Sequence, residues 1–399
     1  MLKQLMERWE KAFDEIELLS EYHRSAKTFK YATGSCFDLK NYTKENFSPE
    51  NPLADTAPDD SVLYNEYGFD ASGLPCYTSF PYNGSKSKWE GYYTYNGHLV
   101  EYVEFNIQTR VPSCIERVLF EGNRKISFQR IFINTRGSAP AYIDLPKEEK
   151  ISRIKNDKYS IHVQIEEYEY DNDKIVKAEC FGIAPGKGEY EFQKIFSYDK
   201  RGYLDEIRDF YPEGSSRLSY ARPAENYDLQ EISDRLASLI AESVVDTLVK
   251  NKVESPVAMV ELGYQYVYTY LPVVISRPES LKQEVIEGGE NIWEGLFLGF
   301  DDLLHLDTIK FERLFEQFMQ IIENTKDYKI GTRMLRKSAS LLTKNRLMGK
   351  IPVADEFFTY VIDHSVEGHS KDEFEEILKE CGMEDNIIED WNRRGWLRP

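Results

Sequence analysis

Along residues 2–22 the apolar positions Leu2, Met6, Trp9, Phe13, Ile16 and Leu19 fall three or four apart, which winds them into one stripe on a helix. Such a stripe packs into a core or docks against a partner. Residues 34–62 are rich in Asn, Pro, Asp and Ser and read as a loop or linker, so the N-terminus divides into an amphipathic helix, 1–33, and a connection, 34–62. From about 63 the apolar period drops to two. The strings YGFDASGLPCYTSF, YYTYNGHLVEYVEF, VLFEGNRKISFQRIF, YEYDNDKIVKAECF and FSYDKRGYLDEIRDFY can be laid over one another. Each is an aromatic residue, a short polar turn and an alternating apolar run, the signature of a β-hairpin.

The key aromatics of these copies are Phe69, Tyr95, Phe120, Tyr170 and Tyr198. The gap between Phe120 and Tyr170 has room for one degenerate copy, and AYIDLPKEEKISRI near Ile143 is its candidate. Asn96-Gly97, Gly122-Asn123 and Arg201-Gly202 supply the positive φ that short hairpin loops require. A recurring unit of this length implies a repeat sheet in which each hairpin buries a face against its neighbour. The copy FSYDKRGYLDEI resembles a YD repeat of the Rhs type, with Tyr198-Asp199, Gly202, Leu204 and Ile207 at the pattern's positions. In that family many such repeats build a shell around a toxin. Here the pattern spans only residues 63–222, too few units to enclose anything, and the resemblance implies hairpins and no shell.

A second domain is expected over 224–399. Asp228 with Glu231 suits a helix start, and Leu229, Ile232, Leu236, Leu239, Ile240, Val244 and Leu248 form its apolar face. Tyr264, Tyr266, Tyr268 and Tyr270 alternate with Val and Thr between them, which favours a strand over a helix, ending at Pro272 and pairing with Val273–Ile275. Residues 301–323, 328–349, 352–364, 371–380 and 384–394 read as helices, with a Ser370/Glu373 capping box and a closing Gly395. The succession of long helix, Tyr-rich strand, LPVVISRPES and Trp293 is similar to small α+β domains of bacterial proteins of the toxin-immunity type. The expected class is α+β: an N-terminal helix, an antiparallel hairpin sheet, then a mostly helical α+β domain.

Charge narrows the function classes. The formal net charge is −19 over 399 residues, so direct nucleic-acid binding, which needs a basic footprint, is not expected. Such a chain attracts basic partners at long range. The five cysteines, Cys36, Cys76, Cys114, Cys180 and Cys381, are odd in number, widely spaced and free of CxxC, the usage of a reducing compartment. The N-terminus has no apolar core of a signal peptide, and no stretch is long and apolar enough to span a bilayer. A cytoplasmic location with no membrane contact is therefore expected.

The candidate chemistry is thin. GIAPGKGEY, residues 182–190, has the wrong spacing for a phosphate loop, Gly188 where a Ser or Thr should bind magnesium, and a strand-like continuation. It reads as a hairpin loop. His364 and His369, with Asp363 and Glu367, are five apart with Gly368 between, against the i, i+4 spacing of a helical zinc site. Asp301-Asp302 is explained by helix capping. No nucleophile motif occurs. No catalytic, cofactor or metal residue is assigned. Residues 331–350 carry Arg333, Arg336, Lys337, Lys344, Arg346 and Lys350, and the acid-rich 351–390 follows, so these segments are expected to neutralise one another. Glu166, Glu167, Glu169 and Asp171 crowd one hairpin and form a candidate acidic ridge for a basic partner, although outward charge on an exposed strand also guards against edge pairing.

The resulting expectation is a non-enzymatic protein-binding protein, in its specific form a cytosolic immunity factor that neutralises a basic toxin. Two other classes stand beside it: a hydrolase or transferase with a site between the domains, and a structural or surface-associated repeat protein.

Overall fold

The computed structural model describes residues 1–32, 36–37, 39–40, 53–57, 64–81, 88–134, 142–253, 255–266, 269–288, 303–325, 327–364 and 371–397. The chain forms an α+β fold and divides into two compact units, Met1–Arg217 and Leu218–Pro399.

Unit 1 opens with α1 (Leu2–Ala12) and α2 (Leu18–Ser25), followed by β1 (Thr28–Ala32), β2 (Asn65–Phe69), β3 (Pro75–Pro81), β4 (Lys88–Asn96), β5 (Leu99–Asn106), β6 (Val111–Glu121) and β7 (Arg124–Ile133). After α3 (Lys147–Asn156) come β8 (Ile161–Asp171), β9 (Lys174–Ala184), β10 (Gly188–Tyr198), β11 (Leu204–Phe210) and β12 (Ser216–Ala221), within which the unit boundary falls. The twelve strands form one sheet in chain order. The apolar stripe of residues 2–22 is two helices, because i→i+3 turns at Asp14 and Glu15 interrupt it. It faces the sheet. Leu5, Trp9 and Ala12 are fully buried over the cross-strand row Tyr92, Val103, Ile115, Ile131 and Val163. The Trp9 indole donates to the carbonyl of Pro112 at 2.9 Å. Arg8 forks onto Glu101 through Nη2 at 2.7 Å and Nε at 3.0 Å, which ties α1 to β5. Two nearby carboxylates, Glu101 and Glu15, hold the Arg8 pKa above its ordinary value despite burial.

The repeat has a physical cause at its turns. Asp70 and Asp199 each accept two turn amides through Oδ1, from Ser72 and Leu74 and from Arg201 and Tyr203. Gly73 and Gly202 take the positive φ, at 82° and 87°. The recurring tyrosines close the hairpins from the side. Tyr95, Tyr170 and Tyr198, near the ends of β4, β8 and β10, donate to the carbonyls of Pro75, Lys125 and Ile175 at the starts of β3, β7 and β9. Each such bond contributes about 1 kcal/mol. The residues that resemble a YD repeat are thus the parts of a tyrosine-latched hairpin.

The expected degenerate hairpin near Ile143 is instead α3. KEEKISRIKN has acids in its first turn and bases in its last, and Lys150 and Ile154, four apart, are buried. Of the 34–62 connection, the described Cys36, Phe37 and Leu39 are buried, Phe37 edge-on to Tyr67 at 5.2 Å.

Unit 2 contains α4 (Leu229–Lys250), β13 (Val257–Gln265), β14 (Thr269–Pro278), α5 (Glu279–Glu287), β15 (Leu304–His305), α6 (Glu312–Thr325), α7 (Lys329–Lys344), β16 (Val353–Asp363), α8 (Lys371–Glu380) and α9 (Asp385–Arg394). Asp228 caps α4 by accepting from the amides of Gln230 and Glu231, and Gly395 ends α9 at φ 77°. The sheet order is β15-β14-β13-β16, with β16 parallel to β13. The segment 352–364 is therefore a strand, not the expected helix. Phe357 to Asp363 are all buried, so both faces are covered and the run shows neither a two- nor a 3.6-residue period. The expected strand through 264–270 is divided: β13 runs to Gln265 and β14 begins at Thr269, while Tyr268 lies outside the described residues, and β14 continues through Pro272 so that Val273–Ile275 pair with Glu261–Gly263 rather than with the end of the tyrosine run. The first of the expected helices begins later, at Glu312, after the short β15; Asp301-Asp302, Trp293 and the Ser370 cap lie outside the described residues. Of the basic residues of 331–350, Arg336 meets Glu380 of the acid-rich segment, but Lys337 and Lys350 pair instead with Asp234 and Asp246 of α4, so the expected mutual neutralisation of 331–350 and 351–390 is only partial among the described pairs.

Candidate functional site

Strand alternation splits the acidic ridge. Glu167 and Glu169 are exposed on one face of β8, and Asp171 is exposed at the strand's end beyond a register shift. Glu166 points the other way and is fully buried. Lys40 at 3.1 Å, the Gln164 amide at 2.8 Å and the Tyr168 hydroxyl at 3.1 Å satisfy it. Glu166 is thus an internal anion and not a member of the ridge. The string EEYEYD alternates between two faces, and neighbouring carboxylates in sequence part company in space.

What replaces it comes from the adjacent strands. Glu179 of β9 stands directly opposite Glu167, and Glu191 of β10 lies on the same exposed face. Among the described residues one lysine serves the group: Lys177 reaches Glu179 at 2.5 Å and Glu169 at 3.3 Å, and those two hydrogen bonds raise its pKa, while the Gln193 amide also donates to Glu179 at 3.1 Å. Like charges directly opposite on a ladder destabilise it by a few tenths of a kcal/mol. Neither β8 nor β9 is an edge, because each is paired on both sides. Protection against edge pairing therefore does not account for this charge.

The other candidates resolve differently. Residues 182–190 are the β9–β10 hairpin, with Gly186 and Gly188 at φ 71° and 88° and strand on both sides. His364 does meet an acid, but one that its neighbourhood in sequence does not contain: Nε2 lies 2.9 Å from Glu261 Oε1 on β13. The other Glu261 oxygen accepts from the fully buried Tyr360 hydroxyl at 2.6 Å. Gly263 makes room, since a Cβ there would stand 2.8 Å from His364 Nε2. The hydrogen bond to Glu261 raises the His364 pKa against the opposing effect of burial. His369 and Glu367 lie outside the described residues, and among the described residues no group of three or more His, Cys, Asp or Glu is placed to hold a metal. A signal for this polar centre exists in the sequence, a lone Glu inside the apolar run VAMVELGY, but its partners are about a hundred residues away. All five cysteines are buried and none is in a disulfide.

No family model matches the chain. No curated protein matches it either. Among solved structures, a porin-like protein from Bacteroides vulgatus is similar at 11% identity and a TM-score of 0.25, over 49% of this chain and 98% of that one. A likeness at that level carries no argument about this chain. Among the described residues no helix is long and apolar enough to cross a membrane.

Proposed function

We propose that this chain is a non-enzymatic protein-binding protein, and that the exposed face of β8–β10 receives a basic partner. The observation that carries the reading is the opposed pair Glu167–Glu179, flanked by Glu169 and Glu191, on strands that are not edges. The direct opposition of Glu167 and Glu179 destabilises the ladder, and Lys177 offsets only part of the negative charge, whereas a basic surface would neutralise the rest. The net charge of −19 acts in the same direction, raising the encounter rate with a basic protein by about 10- to 1,000-fold at low salt. A basic, nucleic-acid-directed toxin is a partner class with that chemistry, and occupying its anion-binding surface would neutralise it. The setting proposed is cytoplasmic, which five buried cysteines without a disulfide among them support.

The test is affinity capture from the source cell with the wild-type chain and with a variant in which Glu167, Glu169, Glu179 and Glu191 are all changed to Lys. A basic protein should be recovered in stoichiometric amount by the wild type, fall away with rising salt, and be lost by the variant. Equal recovery by the two chains at low salt would refute the assignment of this face.

A further inference from the structure

The opposite face of the same strands carries a cleft of about 210 Å³, lined among others by Arg130, Phe132, His162, Gln164 and Tyr190. It lies along a cross-strand row. Arg130 of β7 is opposite Gln164 of β8, Gln164 is opposite Gly182 of β9, and Gly182 is opposite Tyr190 of β10. A Cβ on Gly182 would collide with Cζ and the hydroxyl of Tyr190, so the tyrosine reaches over β9 toward Gln164 only because that strand has no side chain there. Tyr102 covers Gly91 in the same manner, and its hydroxyl is taken up by Thr78 and Glu104. Among the described residues the hydroxyl of Tyr190, a residue 39% exposed, has no such partner.

We propose that this cleft binds one ring of a neutral sugar. Its charge is already spent: Arg130, the permanent cation of the lining, is held by Glu116 at 3.2 Å and also interacts with Glu104 and Cys114. Burial and then the neighbouring Arg130 lower the His162 pKa, so the imidazole is neutral at neutral pH. The lining therefore gives an ion no uncommitted partner, and what it leaves uncommitted is hydrogen bonding. His162 meets the Phe132 ring edge-on at 5.7 Å and makes no side-chain hydrogen bond among the described residues. Gln164 spends its amide nitrogen on Glu166 at 2.8 Å, which leaves its side-chain oxygen to accept. A phenol hydroxyl and a neutral imidazole each donate and accept, and an amide oxygen accepts. Ligand hydroxyls, which also do both, match that set, whereas an apolar ligand would cover it unpaired and bind worse for it. The Phe132 and Tyr190 rings supply apolar surface for the C–H face of a pyranose. The volume corresponds to about seven waters at roughly 30 Å³ each, below the ~300 Å³ of drug-sized sites, which is room for one sugar ring.

The probes are the methyl glycosides of glucose, galactose and mannose, titrated into the full chain while the methyl resonances of Ile183 and Ala184, both on the cleft lining, are followed by NMR. At least one glycoside should give saturable shifts at millimolar concentration. The uronate and the amino sugar of the same ring configuration, which add a charge of either sign, should bind several-fold more weakly. Tyr190→Phe keeps the ring and removes one hydrogen-bonding oxygen, which should weaken binding about two- to tenfold. Gly182→Ala pushes the Tyr190 ring off β9 and should abolish saturation; if that variant fails to fold, Tyr190→Phe decides. Absence of saturation by all three glycosides up to about 20 mM, an affinity near the weak limit for small ligands, would overturn the proposal. So would a uronate that binds as tightly as its neutral glycoside, or unchanged affinity in the variants that fold.

Discussion

Lys194 on β10 and Asp209 on β11 form the most completely buried ion pair of the hairpin sheet among those described, at 2.9 Å with side chains 8% and 10% exposed. Asp209→Ala would leave an ammonium in the sheet face without its partner. Breaking a buried pair from one side costs about 3–5 kcal/mol, because the remaining charge keeps its desolvation penalty and loses its compensation. Glu166 also raises the Lys194 pKa, after Asp209, so part of that compensation survives and the lower end of the range applies. For a unit of this size each kcal/mol moves Tm by about 2–4 °C, so the variant should melt roughly 6–12 °C early for a loss of about 3 kcal/mol. The double replacement Lys194→Met with Asp209→Leu removes both charges and should regain most of that loss. Calorimetry of the full chain should show one transition moving down in the single variant and back in the double one, with the other transition in place. The pH dependence has a definite sign. The folded pKa of Lys194 lies above its unfolded value, so its contribution is complete below about pH 10.4 and fades as pH rises through the folded value. A single variant that melts within 2 °C of the wild type, or a double variant no better than the single, would refute the description of this pair as desolvated.

Two further outcomes follow from close contacts in unit 2. Gly331 sits within α7, where Gly→Ala ordinarily stabilises a helix by about 1 kcal/mol; here the added Cβ would stand 2.3 Å from Cε1 of Tyr270, a ring 1% exposed and held by its hydroxyl to the Tyr328 carbonyl at 2.5 Å. Gly331→Ala should therefore lower stability by about 1–3 kcal/mol, read by denaturant titration, and a stabilised variant would contradict the packing. The Tm difference between wild type and His364→Gln should be largest below about pH 6.5, where the raised imidazole is charged on Glu261, and should shrink as pH rises through the folded pKa; a gap independent of pH would remove the His364–Glu261 ion pair.

The hairpins were legible because their determinants are local. Asp199, Gly202 and Leu204 lie within one turn and the strand after it, and alternation over a few residues marks which side chains enter the core. The same locality made α4 readable, since Asp228 caps its own next turn. Locality also explains the errors. AYIDLPKEEKISRI lies among hairpins and suggests another copy, although the charges of KEEKISRIKN are ordered for a helix. Residues 352–364 suggest a helix because a segment covered on both faces, as Phe357–Asp363 is, has no strand periodicity to report.

By itself the sequence determined the acidity, the hairpin turns, the amphipathic N-terminal stripe and the α+β succession, all of which depend on residues close together in the chain. Tertiary structure alone decided which acids stand together. Glu166 and Glu167 are adjacent in sequence, yet one is buried against Lys40 and the other faces solvent opposite Glu179. Gly182 acquires its meaning from Tyr190 across a strand gap, and Glu261 from Tyr360 and His364 about a hundred positions later. The reason is that register, not sequence distance, sets which side chains share a face, and register is chosen by the packing of whole strands.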